Sequence, residues 1–168
     1  MDLTTLRALA EFPRQLEAHF SAIPAAFASW EPASWEGMPS EPFSAIEQLC
    51  HVRDIEVDGY HVRLRRMRDE DHPVLASIDG EELAHTRSYA TADAAPVLAA
   101  IRAARATTLE IISQLTPTQL ARTAQFDGYG VLTVRSLIHY LCSHDQQHLA
   151  GLQWLMGKIA AEGQVSFR

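Results

Sequence analysis

Apolar residues recur every three or four positions along four long segments of this sequence, which is the spacing of α-helices that each bury one face. The four segments are predicted at about 3–22, 44–68, 93–115 and 133–160. Alternation of apolar and polar residues, as in strands, is expected only in a short ribbon at 121–132. Four such helices must bury their apolar faces against one another, so the fold class is predicted to be all-α, a four-helix bundle.

The segments between the helices indicate two long connections. Residues 24–43 are rich in proline, serine and tryptophan and are predicted to form a loop. Trp30 and Trp35 in this loop are expected to pack on the bundle, with a lid over a pocket as the alternative. Residues 69–92 are predicted to form a crossover that contains a helical turn or two and no buried histidine.

Several side chains are suited to accept hydrogen bonds from the free N–H groups at helix starts. Ser44 and Glu47 have the spacing of a capping box, and Asp93 and Thr133 are suitable N-caps. For Glu47 we therefore prefer a capping role to a role as a metal ligand. With Asp54, it is also one of two weak candidates for a general base.

Composition and charge exclude several kinds of protein. The 168 residues predict one domain over 1–168, and the net charge of −7 argues against a nucleic-acid partner. The basic run RLRRMR at 63–68 is predicted to be a solvated helix face. No stretch approaches the ~18 apolar residues of a membrane span, and the first residues are not expected to form a signal peptide. We therefore expect a cytoplasmic protein without a membrane partner.

The last predicted helix carries two histidines, His144 and His148, on its apolar stripe. Residues four apart lie on the same face of a helix, so the two imidazoles should project side by side and can bind one metal ion. The alternative is a pair of core histidines, each with a hydrogen-bond partner. The spacing by itself leaves both interpretations open.

A catalytic metal site usually has three protein ligands, and His51 is the best candidate for the third. It lies beside the apolar stripe early in the second helix, whereas His61 is well down that helix and His19 is near a helix end. His139 points about 140° away from His144 on an ideal helix. The two cysteines, Cys50 and Cys142, form no CxxC motif and are predicted to be small buried residues rather than ligands.

Two stretches, SAIEQLCHVRDIE (44–56) and LTVRSLIHYLCSHDQQHLAGLQWL (132–155), resemble the DinB-like helical bundle family. The resemblance implies an up-down-down-up bundle in which His51, His144 and His148 bind a divalent metal, and it implies a homodimer. One position differs from the family pattern, which often has glutamine three residues after the last histidine, where this chain has Gly151. Substrate contacts near the metal are therefore not carried over.

The resemblance also implies a range of functions. Some relatives are S-transferases or isomerases that use a low-molecular-weight thiol, so a metal-dependent enzyme acting on a small-molecule substrate with such a thiol is the first hypothesis. A metal-dependent hydrolase is the second, and a non-catalytic metal-binding or stress-related bundle protein is the third. Imidazole ligands favour zinc or nickel as the divalent ion. Either a thiol or a water bound to such an ion becomes a better nucleophile at neutral pH.

Overall fold

The computed structural model of the protein describes residues 1–162 and is mostly helical. The helices are α1 (Leu3–Ala22), α2 (Ala45–Asp54), α3 (His61–Asp69), α4 (Gly80–Thr86), α5 (Ala94–Ser113), α6 (Pro117–Leu120) and α7 (Val134–Ala161). The strands are β1 (Val74–Leu75), β2 (Thr123–Phe126) and β3 (Gly130–Thr133). A π-helical turn at Ile55–Tyr60 joins α2 to α3 into one long helix. Together with α1, α5 and α7, this helix forms the predicted four-helix bundle, and the fold class is confirmed.

The predicted helix starts are confirmed by their caps. Thr133 accepts a hydrogen bond from the backbone N–H of Ser136, and Asp93 accepts one from Ala95. The carboxylate of Glu47 accepts from both the backbone N–H and the hydroxyl of Ser44, at 2.9 and 2.7 Å. These bonds satisfy backbone donors that the first helical turn leaves free, which is why each helix begins where the sequence predicts.

Contacts between the first and last helices show that they run in the same direction. The hydroxyl of Thr5 near the start of α1 lies 3.4 Å from Nδ1 of His139 near the start of α7. Towards the other end, Gln153 of α7 lies 2.8 Å from the ring of His19 in α1. Both pairs have the same offset in sequence, as two parallel helices require.

The second and third long helices run the other way. His51 of α2 meets His144 of α7, while the earlier Gln48 meets the later His148, so α2 is antiparallel to α7. The start of α5 lies beside the start of α2, because Asp93 lines the same groove as Ile46. The bundle is therefore up-down-down-up, and the long segment at 69–92 returns the chain from the end of α3 to the start of α5.

A small three-stranded sheet lies across the bundle. β2 and β3 form an antiparallel hairpin in register Thr123 with Thr133, which confirms the ribbon predicted at 121–132. The turn contains Gly128, whose φ of +78° favours glycine over residues with a side chain. β1 pairs with β2 in parallel, and this strand inside the crossover was not predicted. It has only two residues, which is too short for an alternating pattern to be visible in the sequence.

The core contains charged groups that the apolar pattern does not indicate. Arg105 is 2% exposed and donates hydrogen bonds to the carboxylates of Glu56 and Asp145, which are also buried. The prediction of a solvated face at 63–68 is wrong for Arg63, which is only 7% exposed, although the other arginines of the run are exposed or half-buried. Arg63 faces inward because its position on α3 follows that of Tyr60, also a core residue, by one turn.

The tryptophans of the first loop pack on the helices, as preferred from the sequence. Trp35 stacks on Trp154 of α7 with ring centroids 6.1 Å apart, and both Trp30 and Trp35 pack against buried core residues. Neither tryptophan borders the cavity described below. Within residues 1–162, no helix combines the length and the apolar character that a membrane crossing requires.

Candidate metal centre

Four side chains from three parts of the chain converge between α2 and α7. They are Glu41, His51, His144 and His148, and one ligand atom from each lies within 4.8 Å of the others. The sequence predicts three of these residues as ligands, and the structure brings all three together. Glu41 is the fourth member of the cluster, and it was not predicted from the sequence.

The three histidines present the same ring atom to one another. Nε2 of His144 lies 3.1 Å from Nε2 of His148 and 3.2 Å from Nε2 of His51. The first pair is one helical turn apart on α7, and the third ring reaches across from the antiparallel α2. His51 and His148 are buried, while His144 keeps a partly exposed edge. Packing of α2 against α7 thus creates a three-imidazole cluster at the side of the core.

Glu41 approaches the cluster from the loop that precedes α2. Its Oε1 lies 3.6 Å from Nε2 of His51, and its Oε2 lies 3.5 Å from Nε2 of His148. About two fifths of the side chain is exposed, with Oε2 itself buried and without a hydrogen-bond partner among the described residues. The residue was missed from the sequence because a proline- and serine-rich loop has no periodicity that indicates which side chain folds back.

A buried amide orients His148. Nδ1–H of His148 donates to Oε1 of Gln48 at 2.7 Å. The amide NH₂ of Gln48 donates in turn to the backbone carbonyl of Phe43 at 3.4 Å. A carbonyl oxygen only accepts, so Nδ1 of His148 carries the proton and its Nε2 presents a lone pair to the cluster. Hydrogen bonds of this kind fix the tautomer and ring orientation of histidine ligands in metal proteins.

Gly151 leaves the space that this amide occupies. A Cβ added at Gly151 would lie 2.6 Å from the hydroxyl of Ser40 and 2.7–2.9 Å from the amide of Gln48. The departure from the family pattern at this position thus has a physical reason. In this chain the glutamine beside the last histidine comes from α2, and a side chain at residue 151 would displace it.

The crossover covers His51. A Cβ added at Gly80, the first residue of α4, would lie 2.7 Å from Cε1 and 2.8 Å from Nδ1 of this ring. The ring of Phe43 packs on the other side with centroids 5.1 Å apart. Nδ1 of His51 is buried and has no hydrogen-bond partner among the described residues. The glycine therefore allows α4 to close over the imidazole.

Burial keeps the three imidazoles neutral. Desolvation lowers the pKa of His51, His144 and His148 below the ordinary value, and the neighbouring histidines lower the pKa of His144 and His148 further. The positive charges of Arg105 and Arg63 act in the same direction on His144. A neutral imidazole is the form that binds metal, so the cluster is in its ligand state at neutral pH.

The polar atoms of the cluster fit a cation. Nε2 of His148 is a lone-pair acceptor, and the nearest oxygen of Glu41 is an acceptor without a donor. Two acceptors 3.5 Å apart repel each other unless a positive charge lies between them. Three imidazole nitrogens with an adjacent carboxylate are a donor set suited to zinc, nickel and related divalent ions.

The other residues considered from the sequence lie outside the cluster. Glu47 caps α2, and Asp54 is held by Tyr89, Arg53 and Arg87 at 2.6–2.8 Å, so neither is free to act as a base at the cluster. Nε2 of His61 lies within 3.0 Å of two oxygens of α5, and His139 lies beside α1. Cys50 and Cys142 are free thiols outside the group that could hold a metal.

A cavity of about 150 Å³ opens beside the cluster. His51, His144 and Glu41 line it, together with residues of the π-helical turn, α3, the crossover and the hairpin. The residues from these segments include Tyr60, Arg63, Ser77, Phe126 and Tyr129. A larger groove of about 600 Å³ between the ends of α1 and α5 has Asp93, an N-cap, as its only titratable lining residue among those described. Of these two, the smaller cavity is the one that borders the candidate ligands and carries further polar groups.

A model of the DinB superfamily matches residues 8–152. The chain belongs to the DinB superfamily. This match confirms the family indicated by the two helical stretches. The three histidines of the cluster are the residues that the resemblance to this family assigns as metal ligands.

Solved structures show the same fold. YfiT from Bacillus subtilis, described as a probable metal-dependent hydrolase with an unusual four-helix bundle topology, aligns with a TM-score of 0.81. The two proteins share 17% sequence identity, and the alignment covers 94% of this chain and 86% of YfiT. No curated protein gives a significant sequence match to this chain. The likeness to YfiT confirms the bundle topology.

Proposed function

We propose that this DinB protein is a metal-dependent hydrolase that acts on a small substrate, with His51, His144 and His148 holding the ion. The observation that carries the proposal is the convergence of three neutral imidazoles on one point beside a free carboxylate and a cavity. Three protein ligands leave a position for water or substrate, as catalytic zinc sites do. Zinc or nickel suits this donor set.

The ion would supply Lewis acidity, which lowers the pKa of water and polarises a carbonyl group. Glu41 would then accept the proton of the attacking water. Its Oε2 has no hydrogen-bond donor among the described residues, and it lies 3.5 Å from Nε2 of His148. Unlike the three histidines, Glu41 is part-exposed and comes from a loop, so it can move between water and a leaving group.

The surrounding residues would keep the ligands in place. Gln48 orients His148 from behind, and Phe43 and Gly80 confine the ring of His51. Rigid support of this kind holds reacting groups within the narrow range of geometry that catalysis needs. The description of YfiT as a hydrolase supports the same reaction class for a protein with this fold.

Thiol S-transfer, which the family resemblance also suggests, is the competing function. The cavity of about 150 Å³ is smaller than typical ligand pockets, which measure about 300–1,000 Å³. We place hydrolysis of a small substrate first because the cavity beside the candidate ligands is small, and the assay below separates it from S-transfer. The homodimer expected from the resemblance stays a prediction that sedimentation can test.

The test is hydrolysis of 4-nitrophenyl acetate by zinc- or nickel-loaded protein, with and without added glutathione or bacillithiol. We expect metal-dependent release of nitrophenol that does not require the thiol. Glu41→Gln should retain metal but lose about 10²–10⁴-fold in kcat. Glu36→Gln, an exposed residue of the same loop with the same change in charge, is the matched control and should retain activity. Activity that appears only with the thiol would support S-transfer instead, and loss of metal from Glu41→Gln would make Glu41 a ligand.

A further inference from the structure

Among residues 1–162, two arginines are buried, and only one of them has anionic partners. Arg105 is neutralised by Glu56 and Asp145 in the bundle core. Arg63 is 7% exposed and lines the cavity beside the metal centre. Among residues 1–162, no carboxylate oxygen lies within ion-pair distance of its guanidinium. A buried charge without a counterion is costly, and an anionic group of a ligand would offset that cost.

The neighbours of Arg63 hold it in place without neutralising it. One Nη donates to the backbone carbonyl of Ala76 at 3.0 Å, and the guanidinium carbon lies 4.5 Å from the centre of the Phe126 ring. A Cβ added at Gly59 would lie 2.8 Å from the other Nη, so the glycine of the π-helical turn provides space for the group. The arginine is thus confined to the cavity wall with donors left over.

A second donor lies beside it. Tyr60 lines the same cavity, and among residues 1–162 its hydroxyl has no hydrogen-bond partner. Burial raises the pKa of this phenol, so the group stays protonated and can donate. The guanidinium carbon of Arg63 lies 5.6 Å from the Tyr60 ring. A guanidinium and a phenol that line the same cavity as His51 and His144 are suited to bind a small anionic group on a ligand at the candidate metal centre.

We propose that Arg63 and Tyr60 bind a carboxylate of the substrate, so that the protein acts on small carboxylate-bearing esters or amides. This inference rests on the proposed function, because the cavity orients the carboxylate relative to the candidate metal centre. The planar guanidinium pairs with both carboxylate oxygens, and the small cavity restricts the distance between the carboxylate and the bond to be cleaved. The net charge of the protein is −7, so the preference for an anion has to come from this local cation.

The test compares two hydroxamates that bind metal through the same group, on zinc-loaded protein and without turnover. Succinate monohydroxamate carries a carboxylate at its far end, and butyrohydroxamate has a methyl group there. In isothermal titration calorimetry we expect the acidic probe to bind about tenfold more tightly, the effect of one charge-assisted hydrogen-bond pair. Arg63→Gln keeps a donor for the carbonyl of Ala76 and should bind the two probes with equal affinity.

Arg65→Gln is the matched control, since it removes the same charge from an exposed position two residues away and should keep the preference. Arg63→Lys retains the cation without the planar fork and should show an intermediate preference, which also covers the case in which Arg63→Gln does not fold. Three results would overturn the inference. They are equal binding of the two probes by the unaltered protein, no binding of either probe, and an equal loss of the preference for the acidic probe in Arg63→Gln and Arg65→Gln. A protein that shows the preference but hydrolyses no ester contradicts the hydrolase proposal alone, and one that hydrolyses esters without the preference contradicts the carboxylate site alone.

Discussion

The amide oxygen of Gln48 lies 2.7 Å from Nδ1 of His148, so α2 supplies the group that orients a candidate ligand of α7. Gln48→Leu removes this acceptor while keeping a similar volume. We expect metal affinity to fall by about 10–100-fold, as for other supporting partners of metal-bound histidines. Competition with a chromogenic chelator measures the change. Gln146→Leu, at an exposed position of α7, should leave the affinity unchanged, and a Gln48→Leu variant with the original affinity would contradict the orienting role.

Gly151 is predicted to be required for the same contact. In Gly151→Ala the new methyl group would lie within 2.6–2.9 Å of Ser40 and Gln48, so the amide has to move away from His148. We expect a loss of about 1–3 kcal/mol in the free energy of unfolding, as for other overpacked sites, together with weaker metal binding. Urea denaturation measures the first effect.

The control for this change is Gly157→Ala on the same helix, where a Cβ meets nothing within 4 Å. Alanine favours a helix over glycine by about 1 kcal/mol, so this variant should be as stable as the unaltered protein or more so. If Gly151→Ala were stabilised to the same degree as Gly157→Ala, the space beside Gln48 would have no role.

The buried imidazoles predict how stability depends on pH. The pKa of each of His51, His144 and His148 is lower in the folded protein than in the unfolded chain, where it is about 6.5. Below that pH the unfolded chain binds more protons than the folded protein, so the free energy of unfolding decreases as the pH falls from about 6.5. The metal-free protein should lose up to about 1.4 kcal/mol per histidine per pH unit in this range.

Bound metal should add to this dependence, since protons compete with the ion for the same nitrogens. Urea denaturation at pH 7.5 and pH 5, with and without zinc, measures both effects. In His148→Leu the dependence should be weaker, because one titrating group is gone. Stability that is constant or rises on acidification would contradict the buried, neutral state of the cluster.

The buried ion network of Arg105 should be essential for stability. Arg105→Met leaves the carboxylates of Glu56 and Asp145 in the core without a cation. Breaking a buried network by removing one partner costs about 3–5 kcal/mol. Arg102 lies on α5, like Arg105, and forms an exposed ion pair with Glu17 of α1. Arg102→Met, which breaks this pair, should lower the free energy of unfolding by less than about 1 kcal/mol. Comparable losses in the two variants, measured by urea denaturation, would contradict the role assigned to the network.

The long helices could be predicted because apolar spacing records which face of a helix is buried, and the caps record where it begins. The same spacing predicted that His144 and His148 project side by side. His51 was the third candidate because it lies beside the apolar stripe of a second helix, and its ring meets theirs in the structure. Glu41 was not predictable, because no periodicity shows how a loop folds back. The burial of Arg63 could not be predicted either, since its contacts with Ala76 and Phe126 depend on the pairing of β1 with β2, which are distant in sequence.

The most direct test of the candidate metal centre is the metal content of four purified variants: His51→Ala, His144→Ala, His148→Ala and His139→Ala. His139 is a half-exposed histidine of α7 beside Thr5, outside the cluster, and controls for the loss of an imidazole. Elemental analysis after loading with zinc and removal of excess ion should give about one equivalent for the unaltered protein and His139→Ala, and a large loss in the other three. Equal metal content in all four variants would contradict the site and the hydrolase proposed from it.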